Sequence, residues 1–270
     1  MNKTKLISVL TGMTFIVSAG IMSCSRPDDS EDLALSGETT VEGRSNIEVR
    51  IMDAPSYNYE MVNVDIKEVS VYIEPGGTAG KPRWESLTTV AGNYNMLDLV
   101  NGKDVLLANQ FIAPGKVTYI SLRLGNMNSV VVKGKPYHLA LSDGQSKILI
   151  KVDEYVDADK MTRFMLDFDV ARSVFLQDDG YVLRPVVRGT NLAKTGSMHG
   201  RVDAVRGSVA ITADNGADIY TTYADMIDGQ FLLRGVPPGT YTVKIYYPDG
   251  ERPEVHDGVR VAEGVVTELH

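Results

Sequence analysis

The chain has 270 residues, of which 43% are hydrophobic, and a formal net charge of −8. This length is sufficient for one large or two ordinary domains. Proteins that bind a nucleic-acid backbone need a basic surface, so the negative net charge of this chain argues against nucleic acid as a partner.

The first 23 residues have the pattern of a secretory signal. Lys3 and Lys5 precede an apolar run over residues 6–22, and Ser23 separates this run from Cys24, the single cysteine. A basic start, an apolar middle and small residues before a cleavage site are the parts of such a signal. The alternative is a retained anchor helix with an incidental cysteine. A run of about 17 residues is at the short end of what spans a bilayer.

The segment Ile21-Met22-Ser23-Cys24 resembles a bacterial lipobox. The resemblance implies cleavage before Cys24 and acylation of its thiol, so that the membrane becomes a partner through the lipid. Several acyl chains together anchor a protein stably in a membrane. With Cys24 acylated, the chain has no disulfide and no cysteine metal site, and we predict no cofactor.

Residues 24–45 are predicted to form an acidic flexible tether. The run Ser25–Asp32 is acidic, and the residues after it are mostly small and polar. The run resembles the export signal of bacteroidete lipoproteins that reach the outer face of the outer membrane. We therefore expect a lipid-anchored, surface-exposed location, and a plain solvated tether facing the periplasm remains the alternative.

Composition and alternation predict an all-β protein. Val, Ile, Tyr and Thr are frequent, and turn residues recur at short intervals. In the segment 62–73 the apolar positions change from even to odd, which predicts a β-bulge near Lys67-Glu68. An Asn101-Gly102 dipeptide marks a turn between apolar segments. Further strands are predicted at Thr118–Leu124, Ser129–Lys133, Tyr137–Leu141, Ile148–Val152, Arg163–Asp169 and Tyr181–Arg188.

Residues 46–192 resemble a known bacterial lipoprotein domain. The segments that carry the resemblance are Asp53-Ala54-Pro55, Leu97–Gly102, Ser121–Leu124, Leu166–Asp169 and Leu183–Val186, in this order. They are similar to the domain of unknown function 4382. The resemblance implies an all-β, sandwich-like fold and an exported setting, and it implies no activity.

Residues 196–270 are predicted to form a second, smaller domain. The stretch Gly229-Gln230-Phe231 followed by Val236-Pro237-Pro238-Gly239-Thr240-Tyr241 resembles the carboxypeptidase regulatory-like, or transthyretin-like, sandwich. In such relatives the module is structural or presents a neighbour, without catalytic residues. We expect a tight turn at Pro237-Pro238-Gly239, where Gly239 is free to take positive φ, and a return strand after it.

Titratable residues form no recognisable catalytic or metal-binding motif. Asp167 and Asp169 are two positions apart, so both project from one face of a strand, and Asp53 ends another strand. Such carboxylates can bind calcium or share a proton. We favour ion pairs with nearby arginines, the candidates being Arg123, Arg184 and Arg188. The histidines are scattered without zinc-ligand spacing, at His138, His199, His256 and His270.

Exposed tyrosines are the candidate ligand-binding residues. Tyr57 and Tyr59 lie beside Pro55 in the sequence, and Tyr246-Tyr247 precede Pro248. Flat rings of this kind can stack on sugars, and the alternative is packing at a sheet corner.

These features together predict a non-enzymatic, lipid-anchored cell-envelope protein that binds or supports a partner at the outer membrane. The alternative is a carbohydrate-binding accessory lipoprotein of a glycan-uptake system that uses Tyr57 and Tyr59. A hydrolase that uses Asp167 and Asp169 is a third, less favoured, hypothesis.

Overall fold

In the computed structural model, β-strands dominate the chain from residue 45 onward. The structure describes residues 43–54, 59–76, 80–178, 180–203, 207–250 and 252–269. Cys24, the predicted signal, most of the tether, Tyr57 and His270 lie outside the described residues. Within the ranges given, no helix has the length and apolar character needed to cross a membrane.

Residues 45–191, called the N-terminal body, form two sheets. One has the strand order β13-β10-β1-β5, and the other the order β11-β12-β8-β7-β2-β6-β9, with β3 and β4 also paired to β2. The strands are β1 Ser45–Ala54, β2 Met61–Pro75, β3 Arg83–Ser86, β4 Gly92–Asn95, β5 Val105–Ile112, β6 Gly115–Leu124, β7 Ser129–Val132, β8 Lys135–Leu141, β9 Lys147–Val156, β10 Met161–Asp169, β11 Val174–Gln177, β12 Gly180–Leu183 and β13 Val187–Asn191. A single helical turn, α1 Val170–Ser173, follows β10, and short 3₁₀ segments lie at Met96–Asp98, Ser142–Gly144 and Leu192–Lys194.

The predicted bulge in the long strand β2 is confirmed. The valines and isoleucines of both halves of β2 are fully buried in the core, although their sequence positions change from even to odd. The register between β2 and β6 shifts between Ile66 and Glu68, at the predicted place. One extra residue there turns the second half of the strand back toward the core.

Residues 196–269, called the C-terminal body, form a second pair of sheets around their own core. The strand orders are β17-β14-β20 and β16-β15-β18-β19. The strands are β14 Gly196–Arg201, β15 Ala210–Asp214, β16 Ile219–Tyr223, β17 Gln230–Val236, β18 Gly239–Tyr246, β19 Glu254–Val261 and β20 Val266–Leu269. The largest side chains of this core, Phe231 and Tyr241, come from the stretch that the sequence singled out.

The prediction of an all-β fold with sandwich-like sheets is therefore confirmed. The described strands of the two bodies belong to separate sheets, but both bodies lie in one compact unit. The division into independent domains at 46–192 and 196–270 stays a prediction.

The predicted single strand Tyr181–Arg188 is wrong. It is two strands in different sheets, β12 and β13, separated by Arg184–Val186. Pro185 in this connection has no N–H to donate to a ladder, which favours a break there.

Two predicted turns connect strands in a way that the sequence did not indicate. Asn101 and Gly102 do form a turn with positive φ, 55° and 77°. However, the strands on either side do not pair, because β4 joins β2 and β5 joins β1. Similarly, the Pro237-Pro238 turn connects two sheets, and Gly239 does not take positive φ, whereas Gly235 just before the turn does, at 69°.

Candidate functional site at the junction of the two bodies

The Asn101-Gly102 turn docks the two bodies on each other. The Asn101 Oδ1 accepts a hydrogen bond from the Leu232 N–H at 2.6 Å, and its Nδ2 donates to the Gln230 carbonyl at 3.1 Å. Its backbone N–H donates to the Thr222 hydroxyl at 3.2 Å. The turn of the N-terminal body is thus bonded to β16 and β17 of the C-terminal body.

A carboxylate beside this turn holds two arginines, one from each body. Arg234 of β17 donates to the Asp104 carboxylate at 2.6 Å and to the Gly102 carbonyl at 3.0 Å. Arg50 of β1 donates to the other oxygen of Asp104. Because Asp104 is largely buried, these charge-assisted bonds act in a medium that screens them weakly.

Arg188 makes a second link between the bodies. It lies opposite Asp167 in the β10–β13 pair and donates to that carboxylate at 2.7 Å. Its other terminal nitrogen donates to the Ile219 carbonyl at 2.9 Å, and its guanidinium lies 4.4 Å from the centre of the Tyr220 ring. Burial of Tyr220, partly offset by Arg188, raises the pKa of its hydroxyl to about 12. Arg188 therefore combines an ion pair with a cation–π contact across the junction.

The three acids singled out by the sequence lie near one another where β1 and β10 end, but Asp53 stands opposite Phe168 and projects from the other face than Asp167 and Asp169. These strands are parallel neighbours, with Met52 opposite Asp167 and Ala54 opposite Asp169. Burial raises the pKa of Asp53 well above its usual range, and the nearby Asp167 and Asp169 raise it further, against a hydrogen bond from the Val170 N–H. Burial also raises the pKa of Asp167, while Arg188 opposes that effect.

Each of these carboxylates has a structural partner. Asp53 accepts from the Val170 N–H at 3.2 Å. Asp169 caps α1 by accepting from the backbone N–H of Arg172 at 2.9 Å and from its side chain at 2.6 Å. Asp167 pairs with Arg188. The favoured ion-pair interpretation is therefore correct for Arg188.

The other two candidate arginines lie elsewhere. Arg123 pairs with Glu68 at 2.9 Å, and the guanidinium of Arg184 lies 5.7 Å from the centre of the Phe175 ring. Within the described part of the chain, no group of three His, Cys, Asp or Glu residues is placed to hold a metal ion.

An open groove of about 350 Å³ lies beside the acids. Its walls come from α1 and the end of β10 on one side and from residues 217–221 of the C-terminal body on the other. The charged groups that line it are Asp169, Arg172 and Asp218. Two of these three, Asp169 and Arg172, are already paired with each other, so the groove offers a polar surface more than a reactive one.

Tyr59 packs at a sheet corner. Its hydroxyl donates to the Val174 carbonyl at 3.1 Å, and its ring meets Tyr181 edge-on with centroids 6.3 Å apart. Tyr181 in turn lies 5.1 Å from Tyr137. Of the second tyrosine pair, Tyr246 is 40% exposed and Tyr247 packs against the C-terminal core.

The described histidines lie on separate strands, as the sequence predicted. The Nδ1 of His199 is 2.7 Å from the Glu268 carboxylate, which raises the pKa of the imidazole. His256 lies 2.9 Å from Glu254 in the same strand, and His138 stands opposite Ser129 in the β7–β8 pair.

Comparison with known families assigns the first part of the chain. A family model described as a domain of unknown function, DUF4382, matches residues 44–185, which is more than half of the sequence. The chain belongs to the DUF4382 family. The DUF4382 match extends from β1 to β12, so Arg188, β13 and the C-terminal body lie beyond it. The family description states no activity.

Solved structures offer remote likenesses. A candidate adhesin from Bacteroides ovatus shares 13% identity with the DUF4382 protein, over 93% of this chain and 95% of its own, at a TM-score of 0.21. A fimbrial protein from the same organism shares 11%, over 85% of this chain and 49% of its own, at 0.27. The major pilin T-13 of Streptococcus pyogenes shares 13%, over 86% and 100%, at 0.17. Scores this low carry no argument about function, and no curated protein sequence matches the chain.

Proposed function

We propose that this protein is a non-enzymatic, lipid-anchored protein of the cell envelope that presents a rigid β surface to a partner at the outer membrane. The observation that supports the proposal is that the acidic residues are engaged in structural contacts. The carboxylates that could have formed a catalytic pair are engaged with Arg188, Arg172 and the Val170 N–H.

A catalytic carboxylate has to exchange a proton with substrate, or attack it, during the reaction. Asp167 instead holds the arginine that bonds to the C-terminal body. Loss of the Asp167 carboxylate would weaken the junction between the two bodies. The site is therefore better suited to holding the bodies together than to catalysing a reaction.

The sequence supports the anchor. An apolar run ends two residues before Cys24, and the predicted tether over residues 24–45 separates this cysteine from β1. A flexible tether of this length has an end-to-end distance of about 25 Å, so the folded body can stand clear of the lipid headgroups. In this proposal the C-terminal body, with its predicted transthyretin-like fold, acts as a presenting module.

The anchor is tested by fractionating a bacteroidete host that expresses the wild-type chain, Cys24→Ala or the neighbouring control Ser25→Ala. We expect the wild type and Ser25→Ala in the outer-membrane fraction and Cys24→Ala outside it. The same distribution for all three chains would refute lipid anchoring.

Display at the surface is tested by treating intact cells with a protease. Digestion of the wild-type chain without cell lysis is the expected result. Protection until the cells are lysed would place the chain on the periplasmic face and would contradict surface display, while the anchor would stand.

The alternative function, carbohydrate binding through Tyr57 and Tyr59, has less support. The Tyr59 ring and hydroxyl are committed to Tyr181 and Val174. A different surface of the N-terminal body has the features of a glycan site.

A further inference from the structure

Three aromatic side chains and a lysine form a row across the nine-stranded sheet. Trp84 of β3 stands opposite Tyr72 of β2, Tyr72 opposite Tyr119 of β6, and Tyr119 opposite Lys151 of β9. Directly opposed residues of neighbouring strands project from the same face of a sheet. The row therefore lies on one face.

This face points away from the core. Val71, Ile120 and Ile150, which alternate with the row along their strands, are buried on the opposite side. Trp84 is 40% exposed and Tyr119 is 38% exposed, so their rings are accessible in the described structure.

The Trp84 ring extends along the sheet surface. It meets Tyr72 with centroids 5.4 Å apart, and the Lys147 ammonium of β9 lies 4.3 Å from the centre of the indole. The indole and the Lys147 side chain therefore meet above β2 and β6, the strands between β3 and β9, where the small side chains of Ser70 and Ser121 stand opposite each other. Ser121 is only 2% exposed although it points away from the core, as expected if the side chains of Trp84 and Lys147 cover it.

The charge of this face differs from that of the whole chain. The residues that oppose one another on this face of β2, β6 and β9 include four cations, Lys116, Arg123, Lys147 and Lys151, and two acids, Glu68 and Glu74. A third acid, Asp153, pairs with Lys116 and Lys151. The balance is positive in a protein whose net charge is −8.

A fixed polar network borders the rings. Glu68 accepts from the Ser86 hydroxyl at 2.7 Å, from Arg123 at 2.9 Å and from the Ser70 hydroxyl at 3.2 Å. These hydrogen bonds lower the pKa of Glu68, so the carboxylate stays ionised. An ionised acceptor in a fixed position is suited to receive hydroxyl groups.

We propose that this aromatic face, formed by Trp84, Tyr72, Tyr119, Lys147 and Lys151, binds an anionic glycan. The exposed rings of Tyr119 and Trp84 pack against the C–H faces of sugar rings. Lys147 and Lys151 pair with carboxylate or sulfate groups, and the Glu68 network accepts sugar hydroxyls. Rings for contact area, with a few polar groups for orientation, are the usual composition of a small-ligand site.

Charge favours a glycan over a nucleic acid. A phosphate backbone carries a charge at every nucleotide and is repelled by a chain of net charge −8. A glycan with one acidic group in several sugars needs only the local cations. The proposal rests on the proposed function, because display in the envelope is what brings the face to such glycans.

The binding test uses the full-length protein in detergent and titration calorimetry. The probes are sialyllactose, which has one carboxylate in three sugars, lactose with a single sulfate group, their shared neutral parent lactose, and a single-stranded DNA oligonucleotide. We expect at least one anionic glycan to bind about ten-fold more tightly than its neutral counterpart, which corresponds to a single ionic contact of ordinary strength. The two anionic probes distinguish carboxylate from sulfate recognition.

Variants then locate the site. Tyr119→Ala and Lys151→Gln should each weaken binding about three- to ten-fold, since one stacking or ionic contact is removed. Trp84→Phe, which keeps a ring, should weaken it less than Trp84→Ala. The control is Tyr246→Ala, because Tyr246 is as exposed as Trp84 but belongs to the C-terminal body. It should leave binding unchanged.

Three results would overturn the inference: no binding of either anionic glycan, tighter binding of the DNA, or equal losses in Tyr119→Ala and Tyr246→Ala with both variants folded. None of these results alters cell fractionation. Failure of the glycan site and failure of the lipid anchor are therefore separate outcomes.

Discussion

Arg188 shows how much of the junction depends on one side chain. It joins Asp167 of β10, the Ile219 carbonyl and the Tyr220 ring, so it acts on both bodies at once. Its side chain is 20% exposed and that of Asp167 is 10% exposed. A pair this sheltered from water is costly to break, because the remaining charge is left without a counter-ion.

Arg188→Ala should reduce the free energy of unfolding by about 3 kcal/mol, because Asp167 then stays buried without its partner. The control is Arg123→Ala, which breaks the exposed pair with Glu68 and should cost no more than about 1 kcal/mol. Urea titration of both variants measures the difference. Equal losses would contradict the structural role of Arg188.

Asp53 makes stability depend on pH in a direction opposite to that of most acids. Its folded pKa lies well above the ordinary value of 3.8. Between those two values the folded state binds more protons than the unfolded state, so stability falls as pH rises through this range. Asp167, whose pKa is also raised, contributes with the same sign.

Asp53→Asn should therefore make the decline of unfolding free energy with rising pH shallower than in the wild type. Urea titrations at several pH values between about 4.5 and 8 measure that slope. Asp153→Asn is the control: the pKa of the exposed Asp153 is lowered by Lys151 and Lys116, so its effect falls below this range. An unchanged slope in Asp53→Asn would be evidence against a raised pKa of the buried Asp53 carboxyl.

At the scale of elements, the Asn101-Gly102 turn depends on glycine for two reasons. Gly102 has φ of +77°, and a Cβ added there would lie 2.6 Å from the Leu232 Cδ2 of the C-terminal body. The positive φ is a property of the local backbone, whereas the close approach to Leu232 arises from the docking of the two bodies.

Two glycine substitutions separate these effects. Gly134 has φ of +71° with open space around it, so Gly134→Ala should cost only the backbone strain, about 1 kcal/mol. Gly102→Ala should cost more in the same urea titration, and Leu232→Ala added to it should recover part of the excess. If the two glycine variants lose the same stability, Leu232 does not pack against the turn.

The sequence predicted those elements whose side chains alternate between core and solvent. The strand predicted at Thr118–Leu124 and the bulged strand β2 were predictable because burial imposes a period of two residues. The split at Pro185 and the role of Asn101 were not. A proline marks a break without indicating which sheet follows, and an Asn-Gly pair indicates a turn without indicating which carbonyl groups it will bond to.

The residues of the candidate sites were likewise predictable where local strand spacing placed them, and were not where the pairing of distant strands did. The carboxylates at 53, 167 and 169 stood out because strand spacing places two of them on one face. Their partner Arg188 was one of three candidate arginines, and only the β10–β13 register selects it. The aromatic face was missed, since Trp84, Tyr72 and Tyr119 are far apart in the chain and meet only through the pairing of β3, β2 and β6.

At the scale of the whole molecule, the two bodies should unfold together. Trp84 is the single tryptophan and reports on the N-terminal body, while hydrogen exchange of the β15 amides reports on the C-terminal body. Coincident urea midpoints are expected for the wild type, because the bonds of Asn101, Arg234 and Arg188 couple the bodies. Separate midpoints in the wild type would show that the junction is weak.

Removal of that coupling should separate the two midpoints. In Asn101→Ala combined with Arg234→Ala, the C-terminal body should unfold at lower urea than the N-terminal body. The control Asn93→Ala removes a hydrogen bond to Met127 inside the N-terminal body and should leave the midpoints together. If they remain together in the junction variant as well, other contacts carry the coupling.

The intact mass of the protein extracted from membranes of its host tests the envelope role most directly. The predicted result is a chain that begins at Cys24 and carries the added mass of acyl chains. A chain that still begins at Met1, with an unmodified Cys24 thiol, would contradict it.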